Sequence, residues 1–284
     1  MAVWLVLLTA GQIAAFVAVW RYFVTTEPGQ VLDTIALTGN SIGRGRVDPV
    51  VRTVLNAVSA LSLAVATVVI GFIALIRRRV LLAILATVLV VGANVTTQLL
   101  KLAIERPDFG VDPERAAAGN SLPSGHTAVA ASVALALVLV LPPRVRGFGA
   151  VVGAAYLAVA GVATLSAGWH RPSDSVAATL IAGAWATGVG FLLVASRREA
   201  ASRTDQPHVL ALMMLTVSGV ALLAVAVLAL GLTDRAPSIT PADLGRRRLF
   251  TAYAGSAAGI AGTAGLIMAF TLATVHKVVP GRAG

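Results

Sequence analysis

The sequence predicts an all-α polytopic membrane protein, a helical bundle of about eight transmembrane spans. The chain has 284 residues, of which 57% are hydrophobic and only 12% charged, about half the charged share of a typical soluble domain. Its apolar residues gather in runs close to the ~20 residues that a helix needs to cross a bilayer. Its net charge is +10, and its positively charged residues cluster at the ends of those runs. There they favour contact with membrane lipids and argue against nucleic acid as a partner.

The apolar runs define the predicted spans in chain order. The first is interpreted as a retained helix and not a signal peptide, because no positive charge precedes it and Arg21 follows about 20 spanning residues. The third ends in polar residues, Asn94 to Gln98, which are typical of a surface facing a bundle interior or cavity. The segment 25–52 is interpreted as an ordinary connection. The eight spans cover roughly 2–24, 53–76, 80–100, 123–141, 148–168, 173–195, 208–231 and 250–274.

Charged loops predict the orientation. The loops after spans two, four and six are short and basic, which places them in the cytoplasm by the positive-inside rule. The segments 101–122 and 169–172 then lie outside a bacterial cytoplasmic membrane. One triplet, Arg246 to Arg248, argues against this orientation because it falls in the last external loop. The basic residues behind the prediction are Arg77 to Arg79, Arg144, Arg146, Arg197, Arg198 and Arg203.

Two external loops carry more polar residues than a connection needs. One begins with Lys101 and Arg106-Pro107 and later reaches Pro123-Ser124-Gly125-His126. Pro123 is expected in the first turn of a helix, leaving the amides of Ser124 and Gly125 free to attract phosphate oxygens. Gly125 allows close approach to the backbone. Lys101 and Arg106 would neutralise phosphate charge.

The second loop reads His170-Arg171-Pro172-Ser173-Asp174. A neutral imidazole oriented by a carboxylate is a competent nucleophile at phosphorus, and Asp174 lies four residues after His170. A second histidine, His126, can protonate the leaving oxygen and later activate water. Arg171 adds another cation. This scheme requires neither a metal nor another cofactor.

These residues resemble the motifs of the type 2 phosphatidic acid phosphatases. The Pro123-Ser124-Gly125-His126 motif is complete, and His170 and Asp174 match the end of the family's third motif. The resemblance covers about 53–195. It implies a six-helix core with its site on the outer side, and a phosphohistidine intermediate on His170. Asp174 would be its partner, His126 the general acid, and Lys101, Ser124 and Gly125 would hold phosphate.

The chain departs from the family pattern twice. Arg106-Pro107 comes two residues earlier than the family's first Arg-Pro, which rotates Arg106 by about 140° from Lys101 on a helix. The helix is therefore expected to end at Arg106, from where its side chain can turn inward. The third motif's arginine falls on Thr164. We hypothesise that Arg171 replaces its charge.

The sequence thus predicts a phosphatase-like membrane core over 1–200 and two added C-terminal helices over 201–284. The predicted substrate is a lipid phosphate or an isoprenoid pyrophosphate. The alternatives are a phosphotransferase of the same fold, a non-catalytic lipid-binding or transport member, an unrelated transporter with a His170–Asp174 proton relay, and a zinc site of His126, His170 and Asp174. The sequence contains no signal for an oligomeric state.

Overall fold

The computed structural model describes residues 1–42, 44–57, 60–76, 79–112, 119–196, 208–234 and 244–278. This part of the chain forms ten α-helices, one short 3₁₀ helix at Gly39–Ser41 and no strand. The helices are α1 (Ala2–Phe23), α2 (Glu27–Thr38), α3 (Arg44–Ala57), α4 (Ala60–Ile76), α5 (Val80–Ala103), α6 (Gly125–Val140), α7 (Pro143–Ser166), α8 (Pro172–Ala195), α9 (Val209–Asp234) and α10 (Arg246–Val278).

The protein is an integral membrane protein with an all-α bundle, as predicted. Six of the described helices are long and apolar enough to cross a membrane, namely α1, α5, α7, α8, α9 and α10. The other two predicted spans correspond to shorter apolar stretches, Ala64–Ile73 within α4 and the whole of α6. The 16 residues of α6 rise by about 24 Å, somewhat less than the ~30 Å hydrocarbon core.

The interpretation of 25–52 as an ordinary connection was wrong, because α2, the 3₁₀ helix and most of α3 lie there. Helix α2 has a regular start: the hydroxyl of Thr26 accepts a hydrogen bond from the amide of Gly29 at 3.2 Å. One side of α2 then packs Ile35 against α10, near Leu249. This burial stabilises a 12-residue helix that would be only marginally stable in isolation.

The helix ends that carry the predicted site meet at one end of the bundle, which we call the polar end. There α1, α5 and α7 finish, α6, α8 and α10 begin, and α2 lies across them. Helix α8 is at the centre, in contact with α1, α5, α6 and α10. Helix α9 packs chiefly on α10, which in turn lies along α7 and α8. The division into units 1–200 and 201–284 stays a prediction.

Candidate active site

All eight predicted site residues lie at the polar end, although they come from three separate parts of the chain. Lys101 is in the last turn of α5, and Arg106 follows in the loop. Ser124, Gly125 and His126 form the start of α6. His170 and Arg171 immediately precede α8, and Asp174 lies in its first turn.

His170 and Asp174 form a buried pair. The Nδ1 atom of His170 is 3.2 Å from Oδ2 of Asp174, and the two side chains are 9% and 0% exposed. The same Oδ2 accepts the backbone amide of Arg171 at 3.0 Å, which fixes the carboxylate at the helix start. Pro172 takes the first helical position. Since Nδ1 faces Asp174, Nε2 is the ring nitrogen left for chemistry.

The loop between α7 and α8 fixes the backbone of His170 and brings His126 near it. The amides of Trp169 and His170 both donate to the carbonyl of Thr164, at 3.0 and 3.3 Å. The rings of Trp169 and His126 lie 5.3 Å apart between centroids. Lys101 and His170 are both close enough for their charges to act on His126. In the described part of the chain, no group of three or more His, Cys, Asp or Glu side chains is arranged to hold a metal, the zinc set included.

The start of α6 differs from the expectation. Helix α6 begins at Gly125 with Ser124 as its N-cap, so Pro123 lies before the helix and not in its first turn. The amide of Ser124 is not free either, since it donates to the carbonyl of Asp174 at 3.0 Å. The amides of Gly125 and His126 are the ones to which the helix offers no carbonyl. Ser124 itself is fully buried, and its binding of phosphate stays a prediction.

A buried network of hydroxyl groups occupies the place of the missing arginine. Thr164 is 0% exposed, and its Oγ1 lies 3.1 Å from Oγ of Ser175. Oγ1 of Thr127 lies 3.2 Å from Oγ of Ser175 and 3.1 Å from Oγ of Ser124. The network therefore ties α6, α7 and α8 together directly behind His170. It contains no charge, so any cation for phosphate must come from another position.

Arg106 supplies one such cation. The expected helix end at Arg106 was wrong: α5 ends at Ala103 and Ile104 is already extended. The guanidinium nevertheless turns inward, with its side chain 6% exposed and Nη2 4.0 Å from Oδ1 of Asp174. Burial, and next the charge of Arg171, lower its pKa from the usual arginine value. Its Nε and Nη2 have no hydrogen-bond partner among the described residues.

Arg171 is also buried, and a carboxylate already engages it. Its Nη2 lies 3.1 Å from Oδ2 of Asp112, and its Nη1 donates to Oγ of Ser121 at 3.4 Å. Asp112 comes from the loop that follows α5, the same loop that carries Arg106. The two guanidinium groups and the imidazole of His170 thus converge, with an acidic side chain bound to one of them.

Sequence reasoning missed the contribution of α2 to this region. Asp33 contacts Ser173 at the start of α8, and Gln30 donates to the carbonyl of Pro107 at 2.8 Å. A signal was present, since Thr26 followed by Pro28 is a helix-start pattern. A carboxylate between Leu32 and Ile35, in the apolar part of the helix, is also unusual.

Comparison with known proteins relates part of the chain to a known family. Residues 79–198 match the family model described as the PAP2 superfamily. The matched region begins just before α5 and ends just beyond α8, so it contains every predicted site residue and leaves out α1 to α4, α9 and α10. No curated protein and no solved structure matches the chain significantly.

Proposed function

We propose that the protein hydrolyses a lipid phosphate or an isoprenoid pyrophosphate through a phosphohistidine on His170. Residues 79–198 match the model of the PAP2 superfamily, which generally hydrolyses phosphoesters. The observation that carries the proposal is the buried guanidinium of Arg106. Two of its nitrogen atoms, Nε and Nη2, make no hydrogen bond to the described residues, and it lies beside the His170–Asp174 pair. A buried cation with open donors next to an oriented imidazole suits an oxyanion that is to be attacked.

The reaction has two steps. In the first, Nε2 of His170 attacks phosphorus in line, an N–P bond forms, and the P–O bond to the lipid breaks while His126 donates a proton to the departing oxygen. In the second, His126 takes a proton from water, the water oxygen attacks phosphorus, and the N–P bond breaks to release phosphate. Throughout, Asp174 accepts a hydrogen bond from the Nδ1–H group of His170 and stabilises the positive charge of the imidazole.

Phosphate charge would be balanced from two sides. Arg106 and Arg171 approach from the loop side, and Lys101 from the end of α5. The amides of Gly125 and His126 add the positive end of the α6 dipole. Cations are a suitable counterpart for phosphate oxygens, and bidentate contacts from arginine also fix orientation.

A groove on the lipid-facing side supports a lipid as substrate. It has a volume of about 580 Å³ between α1, α5 and α8, within the range of ligand sites. Its lining includes Phe16, Leu100, Trp185 and Leu192. Leu100 directly precedes Lys101, so the groove begins next to the proposed phosphate site. A hydrocarbon chain attached to a bound phosphate would extend from there toward the bilayer interior.

The test is phosphate release by detergent-purified protein, with EDTA present, from a panel of lipid phosphates and pyrophosphates of long and short chain. We expect release by the wild type and none by His170→Ala. His208→Ala, at the opposite end of the bundle, is the matched control and should keep full activity. Equal release from wild type and His170→Ala would refute the phosphohistidine.

The same assay distinguishes the alternative functions predicted from the sequence. Phosphate transfer that depends on an added alcohol acceptor would indicate a phosphotransferase. Absence of release from folded wild type on every substrate would leave the lipid-binding or transport reading.

A further inference from the structure

The carboxylate of Asp33 is buried beside the proposed active site, although it comes from outside the region of family resemblance. It lies on α2, which is too short to be a span, and the residue is only 2% exposed. The catalytic scheme above does not use it. A buried carboxylate is costly unless it is hydrogen-bonded or paired, so its partners indicate what it does.

The partner of Asp33 is Ser173, the residue before Asp174. Oδ1 of Asp33 accepts the backbone amide of Ser173 at 3.2 Å, and Oδ2 accepts its hydroxyl in a short hydrogen bond. That amide is among the first of α8, where the helix offers no carbonyl. Asp33 therefore caps α8 from another helix and anchors the backbone one residue from Asp174.

Charge connects Asp33 to the rest of the site. Burial, and next the negative charge of Asp174, raise the pKa of Asp33 from 3.8 to about 6. Arg106, the hydrogen bond from Ser173, and Arg171 act in the opposite direction. Asp33 is thus largely ionised at pH 7.5, and its negative charge attracts both guanidinium groups.

The same face of α2 also supports the loop that follows α5 and carries Arg106, which we call the arginine loop. Gln30 lies one turn before Asp33, and its side-chain amide donates to the carbonyl of Val24 and to that of Pro107, at 2.8 Å each. Helix α2 therefore contacts both segments that deliver the site: the loop with Arg106 and the start of α8.

We propose that Asp33 is a positioning residue for the reaction proposed above, holding the first turn of α8 so that Asp174 orients His170. Because its hydrogen bonds hold the backbone next to Asp174, its loss would lower the rate of the chemical step more than it would weaken substrate binding. This assignment rests on the proposed phosphatase function.

Three variants separate the contributions. Asp33→Ala removes both the hydrogen bonds and the negative charge. Asp33→Asn keeps a hydrogen-bonding group without the charge, and Ser173→Ala removes only the hydroxyl contact. We expect Asp33→Ala to lower kcat about tenfold or more, since a displacement of ~1 Å at a reacting group can cost on the order of 100-fold. KM should stay within about threefold, as expected for an effect on the transition state alone. Asp48→Ala changes a partly exposed aspartate that pairs with Arg52; it is the matched control and should match wild type.

The pH dependence of kcat distinguishes this role from a purely structural one, which would not depend on the charge of Asp33. As the pH falls through about 6, Asp33 gains a proton and becomes neutral like asparagine. The ratio of kcat for Asp33→Asn to kcat for wild type should therefore rise toward one between pH 7.5 and pH 5. Taking the ratio removes the pH effects that the two proteins share.

An activity-independent measurement keeps the two proposals distinguishable. In ¹⁵N-histidine NMR, the hydrogen-bonded Nδ1 proton of His170, assigned with His170→Ala, should be visible in wild type and lost in Asp33→Ala. If wild type hydrolyses no lipid but this difference is seen, the proposed function fails and the positioning role stands. A folded Asp33→Ala with unchanged kcat, or with an unchanged Nδ1 signal, would overturn the role of Asp33.

Discussion

Thr164 stands where the family motif has an arginine, so the positive charge that binds phosphate must come from other residues of the site. Thr164 is fully buried and bonded to Ser175, so this position contributes structure and no cation. Arg171 lies on the loop beside it, and its guanidinium is held by Asp112 at 3.1 Å. An incoming phosphate would compete with that carboxylate for the same donors.

Arg171→Ala should therefore weaken substrate binding. Removing a charge-assisted hydrogen bond costs about 1.5–3 kcal/mol, roughly a tenfold to hundredfold rise in KM. Arg171→Lys keeps the charge without the planar fork and should show an intermediate KM. The measurement is steady-state phosphate release over a range of lipid concentrations in mixed micelles.

Asp112→Asn is the complementary variant, since it removes the competing charge while keeping a similar shape. It should lower KM in the wild-type background and have little effect once Arg171 is alanine. An Arg171→Ala protein with unaltered KM and kcat would show that Arg171 does not replace the missing cation.

At the scale of elements, the sequence predicted the spans well and the interfacial helices poorly. The eight predicted runs all correspond to described helices, because a bilayer demands long apolar stretches that composition reveals directly. Helix α2 is short and half polar, and its polar side chains are buried only by tertiary contact with α8 and the arginine loop. Such contacts leave no periodic signal in a single sequence.

The convergence of the proposed site residues was predictable to the same extent. These residues stand in motifs at helix ends, and the fold brings all eight to the polar end. The partners of those residues were not predictable. Asp33 and Asp112 lie 140 and 59 positions away from the residues they contact, so only the packed structure reveals them. The expectation for Pro123 failed because Ser124 is a better N-cap.

The groove between α1, α5 and α8 gives a prediction about chain length. A bilayer is as apolar as the groove, so the groove guides the substrate chain by shape and not by hydrophobic transfer. Gly188 lines it, and a Cβ there would meet nothing within 4 Å. Gly188→Leu should therefore narrow the groove without disturbing the packing. We expect kcat/KM for long-chain lipid phosphates to fall about tenfold or more, because the phosphate would be misplaced.

The short-chain substrate is the internal control for that experiment, since it needs little of the groove and should be hydrolysed as by wild type. Gly11→Leu is the matched variant, because a Cβ at Gly11 also meets nothing within 4 Å and Gly11 does not line the groove. Equal losses on long and short chains, or equal losses in both variants, would argue against the groove as the chain site.

At the scale of the whole molecule, the question is which face of the membrane the polar end meets. The opposite end carries Arg79 and Arg144, and the polar end carries the triplet that begins α10. Arg146, one of the residues behind the predicted orientation, is fully buried and donates to the carbonyl of Leu141, so it does not reach headgroups. The remaining basic residues of the prediction, Arg77, Arg78, Arg197, Arg198 and Arg203, lie outside the described residues.

We expect the polar end to face outward, because three short basic loops outweigh one triplet under the positive-inside rule. The chain has no cysteine, so single cysteines can be introduced without a background. Ser41 lies at the polar end and Ser196 at the end of α8, and both are exposed serines bonded to a carbonyl three residues earlier. The 24 residues of α8 rise by about 36 Å, so its two ends emerge on different sides of the bilayer.

In intact bacterial cells, a membrane-impermeant maleimide should label Ser41→Cys and leave Ser196→Cys unlabelled until the membrane is permeabilised. Each variant should keep wild-type phosphate release, since neither residue belongs to the site. The reverse labelling pattern would place the polar end in the cytoplasm. The substrate would then have to be a lipid phosphate of the inner leaflet, and the triplet at Arg246 to Arg248 would be the segment that sets the orientation.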